Sequence, residues 1–379
     1  MSYVRVLLGI VVWGMSSCVM ASSGENLSLP AFSTSTSTSS ATACASKRRV
    51  VWDIDDVLCQ DIRSQDKTDV LNKIKTLFPE CRIVAVTISR EDLAEAEYFI
   101  QEESETLTHV FLPFIEEALL YVHEQNWENC FFSSGHEVRN QALMENYLPQ
   151  VYGAECYQQL FRENGNRVFS NCHLSDGYYG KKTKDLDTVI PSIDKVSGVG
   201  IKNTILVDDQ FSYAQKGQES MIVGKGSHQL FRGDIDMYSK TKSPSLGDVG
   251  IHPLADNKVL QMNQVYYFLG ILDSCAEKIK SNPELDLRSA LDMVLPRDCS
   301  HKKYRSGHDY KIDYCIWPEL SDPVIYQLAK RGLKIVQKKH SHARFYIPNN
   351  GWAKADLLKV MQEAGDTDHV STVSYLDGF

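Results

Sequence analysis

The chain has 379 residues, which is long enough for two domains with a large core. Its formal net charge of −9 argues against a nonspecific nucleic-acid-binding protein, because such proteins present a basic surface. We therefore expect no nucleic-acid partner.

The first 21 residues have the pattern of a secretory signal peptide. Arg5 precedes the apolar run at 6–13, and a small residue, Ala21, ends the segment. The run is too short to span a bilayer comfortably. We expect export, to a periplasm or as a secreted protein. A lipoprotein anchored at Cys18 and an unprocessed helix are the alternatives. Residues 22–46 are rich in Ser and Thr and predict a linker.

An apolar run at 50–52 ends in two carboxylates, Asp53 and Asp55. The run is typical of a buried strand in a parallel sheet, whose ligands bind beyond the carboxyl ends of the strands. Acids crowded there repel each other unless a cation or a shared proton holds them. The pattern predicts a metal-assisted carboxylate nucleophile with a second carboxyl as acid/base partner. A strand that enters a solvated turn is the alternative.

A second apolar run, at 130–132, ends in Ser133, Ser134 and Gly135. A hydroxyl followed by backbone N–H groups at a strand end can hold a phosphoryl oxygen. The same residues would also suit a simple cap on the following helix. Both interpretations stay open at this point.

Two further segments supply a lysine and another acidic pair. A basic stretch contains Lys181, Lys182 and Lys184, and a lysine there can neutralise charge near a phosphorylated aspartate or begin a solvated helix. The apolar run at 204–207 ends in Asp208 and Asp209. With Asp53 and Asp55, this pair could complete an oxygen site for Mg²⁺.

The order of these residues resembles the four motifs of the haloacid-dehalogenase (HAD) superfamily of phosphohydrolases. The matches are Asp53-Ile54-Asp55-Asp56-Val57 for the first motif, Ser133 for the second, Lys184 for the third and Asp208-Asp209 for the fourth. The second aspartate of the first motif favours a phosphatase or phosphotransferase over a dehalogenase.

Within that superfamily, the sequence is similar to the RNA-polymerase C-terminal-domain phosphatases of the NIF-type branch. The similar segments are Leu160-Phe161-Arg162-Glu163, Cys172, Lys184-Asp185-Leu186 and Val207-Asp208-Asp209. The chain departs from the branch at Leu112, where an Arg is usual, and it lacks the Ser-Pro that usually follows the last acidic pair. These departures leave a phosphoprotein substrate less supported than the phosphatase chemistry.

The resemblance implies a Mg²⁺-dependent hydrolase that acts on a phosphorylated protein or small molecule through an aspartyl-phosphate. It implies Asp53 as the nucleophile and Asp55 as the acid/base, a role for which we expect crowding to raise the pKa of Asp55. Ser133 and Lys184 would hold the phosphoryl oxygens, and Ser134 and Gly135 would add substrate contacts.

Four residues are the implied metal ligands: Asp53, Asp55 through its backbone carbonyl, Asp208 and Asp209. We expect Asp208 to bind Mg²⁺ directly and Asp209 to act through water. A broad-specificity exported acid phosphatase is one alternative function. A non-catalytic binding protein on the same fold is the other.

The alternation of strands and helices over residues 47–282 predicts an α/β fold, as a HAD-like doubly wound parallel sheet. Its strands are expected at 49–54, 82–88, 128–133, 203–208 and 219–223, with a flap or small cap at 61–110. A linker at 283–308 is expected to precede a small α+β domain at 309–379. The β-α-β-β-α-β order expected there, with a strand at 333–338, suits a ferredoxin-like fold. After the linker at 22–46, no two cysteines have C-x-x-C spacing, which argues against a zinc site.

Overall fold

The computed structural model of the chain describes most of its length from residue 47 onwards. The described residues are 47–62, 67–89, 104–163, 167–176, 182–191, 199–210, 213–215, 217–218, 220–224, 259–295, 304–305, 311–312, 323–347, 359–365 and 374–375. The predicted signal peptide, the anchor at Cys18 and the Ser/Thr-rich linker lie outside these residues and stay predictions.

A parallel sheet of five strands lies at the centre of the fold. In spatial order these are β10 (Met221–Val223), β9 (Thr204–Asp208), β1 (Arg49–Trp52), β5 (Glu128–Phe132) and β6 (Val168–Phe169). All four pairings between neighbours are parallel. The predicted α/β fold is therefore confirmed, and four of its five expected strands belong to this sheet.

Both faces of β1 are covered, because successive side chains of a strand point to opposite faces. Val50 and Trp52 belong to the larger hydrophobic cluster, which also contains residues of the long helices. Val51 belongs to a smaller cluster on the other face, together with Leu206 and Leu186. We call these the large cluster and the small cluster. A strand buried on both sides reads as a continuous apolar run, as the sequence shows.

A second, antiparallel sheet occupies the region in which the sequence predicts a flap. Its strands are β2 (Cys59–Asp61), β3 (Ile83–Ser89) and β4 (Ser104–Phe111), with β4 in the middle. The strand expected at 82–88 belongs to this sheet rather than to the parallel one. The chain reaches β2 through a tight turn in which the N–H of Asp56, at φ 64°, donates to the carbonyl of Cys59 at 2.8 Å.

The described residues also contain helices and short strands outside these two sheets. The α-helices are α1 (Lys67–Leu77), α2 (Ile115–Glu124), α3 (Glu137–Tyr152), α4 (Ala154–Tyr157), α5 (Val199–Lys202), α6 (Val259–Ser281), α7 (Leu287–Val294) and α8 (Pro323–Gln337). A π-helix spans Gln158–Glu163, and 3₁₀ helices span Asn171–His173 and Leu186–Val189. The short strands are β7 (Ser175–Asp176), β8 (Lys182–Thr183), β11 (Tyr304–Arg305), β12 (Lys311–Ile312), β13 (Tyr346–Ile347) and β14 (Ser374–Tyr375). None of the helices within the described ranges is long and apolar enough to cross a membrane.

The C-terminal segment contains a helix where a strand was expected. The prediction of a strand at 333–338 is wrong, because residues 333–337 form the end of α8. Its buried residues include Ala329, Gly332, Leu333 and Val336, at the three- and four-residue spacing of a helix. The described part of 309–379 therefore does not follow the expected β-α-β-β-α-β order.

The predicted linker at 283–308 contains one helix, and the segment after it contains another. The linker contains α7, and the N–H of Leu287 donates to Asn203 Oδ1 at 3.1 Å, next to β9. Helix α8 packs along α6 in the large cluster. The domain boundaries at 282 and 309 stay predictions, but described residues on both sides of them share one core.

Glycines set the close approach of α6 and α8, which gives a first prediction. A Cβ on Gly270 would lie 1.7 Å from the carbonyl oxygen of Leu328, and one on Gly332 would lie 1.8 Å from that of Tyr266. We expect Gly270→Ala to lower the free energy of unfolding by about 1–3 kcal/mol or more in urea denaturation, because the added methyl group would force the two helices apart. The control Ser281→Ala, at the exposed end of α6, should change it by less than about 0.5 kcal/mol. Equal stability of the two variants would contradict this packing.

Candidate active site

Asp53 and Asp208 lie side by side at the carboxyl edge of the parallel sheet. Trp52 pairs with Val207, and the N–H of Asp53 donates to the Val207 carbonyl at 2.8 Å. The residues two positions earlier, Val51 and Leu206, both face the small cluster. The alternation of the strands therefore directs both carboxylates to that face, where both are buried.

Lys184 lies between these two carboxylates and is fully buried. Its Nζ is 2.6 Å from Asp208 Oδ2 and 2.9 Å from Asp53 Oδ2. The ring of Tyr213 is 4.9 Å from the ammonium, and the Tyr213 carbonyl accepts the Lys184 N–H at 2.8 Å. The three charged groups form a buried ion triad, which we call the Asp53–Lys184–Asp208 triad.

The segment that carries Lys184 explains why this lysine, rather than a neighbour, reaches the sheet edge. Leu186, two residues further on, packs into the small cluster and holds the segment against that face of the sheet. Lys182 instead pairs with Asp176 at 2.6 Å on the surface. Lys181 lies outside the described residues.

Three carboxylates form a group that fits Mg²⁺. Asp53, Asp208 and Asp209 each offer an oxygen within 4.8 Å of the others. An all-oxygen donor set suits this cation, which prefers carboxylates and water. The side chain of Asp55 is outside the group, and the expected binding of metal by its backbone carbonyl stays a prediction.

The charges around the triad are unbalanced towards the negative, and this affects the pKa values. Burial, and then the nearby Asp208, raise the pKa of Asp209 to about 8. Burial raises the pKa of Asp53 as well, although Lys184 opposes the rise. A divalent cation among these carboxylates would favour their ionised forms, which is a second reason that the group fits Mg²⁺.

Asp55 lies beside the triad and is held by a different set of groups. Arg139 on α3 donates two hydrogen bonds to its carboxylate, from Nη1 to Oδ1 at 2.6 Å and from Nη2 to Oδ2 at 2.5 Å. The Ser133 hydroxyl donates a third, to Oδ2 at 2.8 Å. The predicted acid/base and the predicted second-motif hydroxyl are therefore in direct contact.

The expectation of a raised pKa for Asp55 is wrong in this structure. Burial alone would raise it, but the Arg139 guanidinium and the hydrogen bonds from Arg139 and Ser133 hold the pKa well below its usual range. Among the carboxylates of the site, Asp53 and Asp209 have raised pKa values instead. The carboxylates are crowded, as expected from the sequence, but the positive charge of Arg139 outweighs the effect of that crowding on Asp55.

Ser134 and Gly135 follow Ser133 in the turn before α3. Ser134 is exposed, and the N–H of Gly135 donates to Ser133 Oγ at 2.9 Å. An added Cβ at 135 would lie 1.9 Å from Arg139 Nη2, so a larger residue there would displace the guanidinium. The turn thus allows Arg139 to lie close to the backbone on its way to Asp55.

Arg139 is the site residue that sequence reasoning missed. It follows Ser133 by six residues, near the start of α3. A sequence signal for it was available only indirectly, through Gly135, whose missing side chain makes room for the guanidinium. Its target lies 84 residues earlier, so no local pattern reveals the pair.

Comparisons with known proteins give distant structural likenesses. No family model and no curated protein matches the chain. The chain is similar to a structure of a variant of the fission yeast RNA polymerase II CTD phosphatase Fcp1 bound to beryllium fluoride, with a TM-score of 0.34 and 11% identity over 85% of this chain and 68% of that one. It is also similar to a structure of Fcp1 described as an essential RNA polymerase II CTD phosphatase, with a TM-score of 0.39 and 10% identity over 75% of this chain and 80% of that one.

The raised pKa of Asp209 gives a prediction about stability and pH. Its folded-state pKa of about 8 lies above the ordinary value of 3.8, so ionising it opposes folding as pH rises from about 4 to about 8. In EDTA, we expect Asp209→Asn to have a higher Tm than the unmodified chain at pH 8, with a smaller difference at pH 5. The control Glu284→Gln, at an exposed acid, should show no such trend. A loss of Tm that is equal at both pH values would contradict the assignment.

Proposed function

We propose that the chain is a Mg²⁺-dependent phosphomonoester hydrolase that acts on a phosphorylated protein or small molecule through an aspartyl-phosphate on Asp53. The observation that carries the proposal is the buried Asp53–Lys184–Asp208 triad. Burying each ion is unfavourable by several kcal/mol, and apolar packing would stabilise the fold at least as well. Charges kept at the sheet edge where ligands bind therefore support a catalytic role.

In the first step, a carboxylate oxygen of Asp53 attacks phosphorus while the bond from phosphorus to the ester oxygen breaks. Lys184 favours the ionised, nucleophilic form of Asp53 and fixes the position of its Oδ2. Mg²⁺ held by Asp53, Asp208 and Asp209 would offset the negative charge that the substrate brings among these carboxylates. Lys184 and Ser133 are close enough to Asp53 and Asp55 to contact the phosphoryl oxygens.

Asp55 supplies and takes up the proton in the two halves of the reaction. It protonates the leaving oxygen, and then accepts a proton from the water that attacks the aspartyl-phosphate. That second attack breaks the bond between phosphorus and Asp53 and releases inorganic phosphate. Because Arg139 pairs with the Asp55 carboxylate in the structure, the acid role requires Arg139 to release Asp55 when substrate binds and Asp55 to take up a proton from solvent before the leaving oxygen is protonated. The guanidinium fork is then available to phosphate oxygens.

A non-catalytic binding protein on the same fold is the second candidate function. The observation in its favour is the Asp55–Arg139 pair, because a carboxylate held ionised by a guanidinium is a poor proton donor. The two candidates differ in whether a phosphoryl group is transferred to Asp53, and the following experiments measure this.

The first experiment measures hydrolysis of an aryl phosphate by the full chain, with Mg²⁺ and with EDTA. We expect turnover only with Mg²⁺, and we expect Asp53→Asn to lower kcat by at least about 10³-fold because the nucleophile is lost. The control Asp292→Asn, on α7 near the start of β9 and so at the opposite edge of the sheet, should retain activity. Turnover by Asp53→Asn at the unmodified rate would overturn the proposal.

The second experiment traps the intermediate with Asp55→Asn. An aryl phosphate has a good leaving group and needs little protonation, so the first step should proceed, whereas attack by water should slow without a base. Intact-protein mass spectrometry should show the gain of one phosphoryl group, which hydroxylamine removes. The double variant Asp53→Asn/Asp55→Asn should remain unlabelled. Turnover of Asp55→Asn without any slowing would contradict the role of Asp55.

A further inference from the structure

A second cluster of metal-ligating side chains lies outside the proposed catalytic group. Glu137, Cys172 and His173 each offer a ligand atom, and these atoms lie within 4.8 Å of one another. Cys172 Sγ is 3.4 Å from Glu137 Oε2 and 3.1 Å from His173 Nδ1. Glu137 and Cys172 are exposed, so an ion from solvent can reach them. We call these three residues the Glu-Cys-His cluster.

The fold brings the cluster together from two neighbouring strands. Glu137 is the first residue of α3, which follows β5, and Cys172 and His173 lie in the 3₁₀ helix that follows β6. Because β5 and β6 are parallel neighbours, the elements after them emerge at the same edge of the sheet. The pairing is therefore set by topology and joins residues that are 35 positions apart.

The donor atoms differ in chemical class from those around Asp53. A thiolate, an imidazole and a carboxylate suit a borderline-soft ion such as Zn²⁺, whereas an all-oxygen group suits Mg²⁺. In a tetrahedral Zn²⁺ site, bonds of about 2.0–2.3 Å place neighbouring donor atoms about 3.6 Å apart. The two distances from Cys172 Sγ are already close to that separation.

We propose that the Glu-Cys-His cluster binds one thiophilic divalent cation, with the Cys172 thiolate as its central ligand and a fourth position open to water. His173 Nδ1 accepts the N–H of Ser170 at 3.1 Å, and the cation would take over that lone pair. In the absence of metal, helix capping accounts for His173, and the Cys172 thiol donates a hydrogen bond to Glu137 Oε2. The cation would take the place of that thiol proton. The absence of a C-x-x-C pair hid this site from the sequence.

The cluster is connected to the turn that carries Ser133. The N–H of Asn171 donates to the carbonyl of Gly135 at 3.1 Å. The buried Asn140 side chain donates to the same carbonyl at 3.0 Å and to Ser170 Oγ at 2.8 Å. A cation in the cluster would therefore be bound by elements that pack directly against the second-motif turn.

The test uses Co²⁺ as an optical probe of the full, reduced chain with excess Mg²⁺ present to occupy the oxygen site. We expect one equivalent of Co²⁺ to give a thiolate-to-cobalt charge-transfer absorption in the near ultraviolet, which Zn²⁺ displaces. Cys172→Ser should abolish the band, and Glu137→Gln should weaken Co²⁺ binding at least about tenfold. Cys156→Ser, at another partly exposed cysteine, should keep the band.

Two outcomes would overturn the proposal: no thiolate band in the unmodified chain, or a band that survives in Cys172→Ser. Should Cys172→Ser fail to fold, as judged by circular dichroism, Glu137→Gln decides alone, and unchanged Co²⁺ affinity in that variant counts against the site. The result does not depend on phosphatase activity, since Asp208→Asn, which disrupts the other metal group, should retain the Co²⁺ band.

Discussion

The Asp53–Lys184–Asp208 triad is the interaction on which the rest of the site depends. One buried ammonium lies within hydrogen-bonding distance of two buried carboxylates. Removing the lysine would leave two buried anions facing each other, which is strongly unfavourable. The triad fixes the position of both acids, and with it the geometry in which Asp209 can join them around a cation.

The triad follows from two elementary features of the fold. Parallel strands end at a common edge, and the alternation within each strand sends Asp53 and Asp208 to the face that the Lys184 segment covers. Asp55 comes after the strand has ended, in the turn that leads to β2. It is therefore placed by contacts with Ser133 and Arg139 rather than by the sheet. In the proposed reaction, the nucleophile Asp53 is therefore held by the sheet and by Lys184, whereas the acid/base Asp55 is held by side chains from other segments.

Much of the central sheet could be predicted from the sequence, because strands buried on both faces read as apolar runs. Acids and hydroxyls at the ends of those runs are also visible locally, so Asp53, Ser133 and Asp208 could be placed at one edge. The similarity of Lys184-Asp185-Leu186 to the NIF-type branch selected Lys184 from its neighbours, and the structure places its ammonium between the two acids. Residue types at strand ends thus carried most of the information about the site.

The features that the sequence did not reveal depend on contacts between distant segments or on the choice between two periodicities. Arg139 acts on a residue far along the chain, and the Glu-Cys-His cluster forms only because β5 and β6 are neighbours. Residues 333–338 have apolar residues that fit a strand as well as a helix, and packing against α6 decided for the helix. Strand β4 was not predicted, because residues 104–111 lie in a region that was interpreted only as a flap or small cap.

Thermal unfolding measured at increasing Mg²⁺ concentrations is the most direct test of the proposed Mg²⁺ site at the carboxylates around Lys184. A ligand that binds only the folded state stabilises it by about 2.7 kcal/mol at a concentration of 100 times its Kd. The account predicts that the Tm of the unmodified chain rises with Mg²⁺ and that Asp208→Ala removes this rise. A Tm that does not respond to Mg²⁺, or that rises equally in Asp208→Ala, would contradict the account.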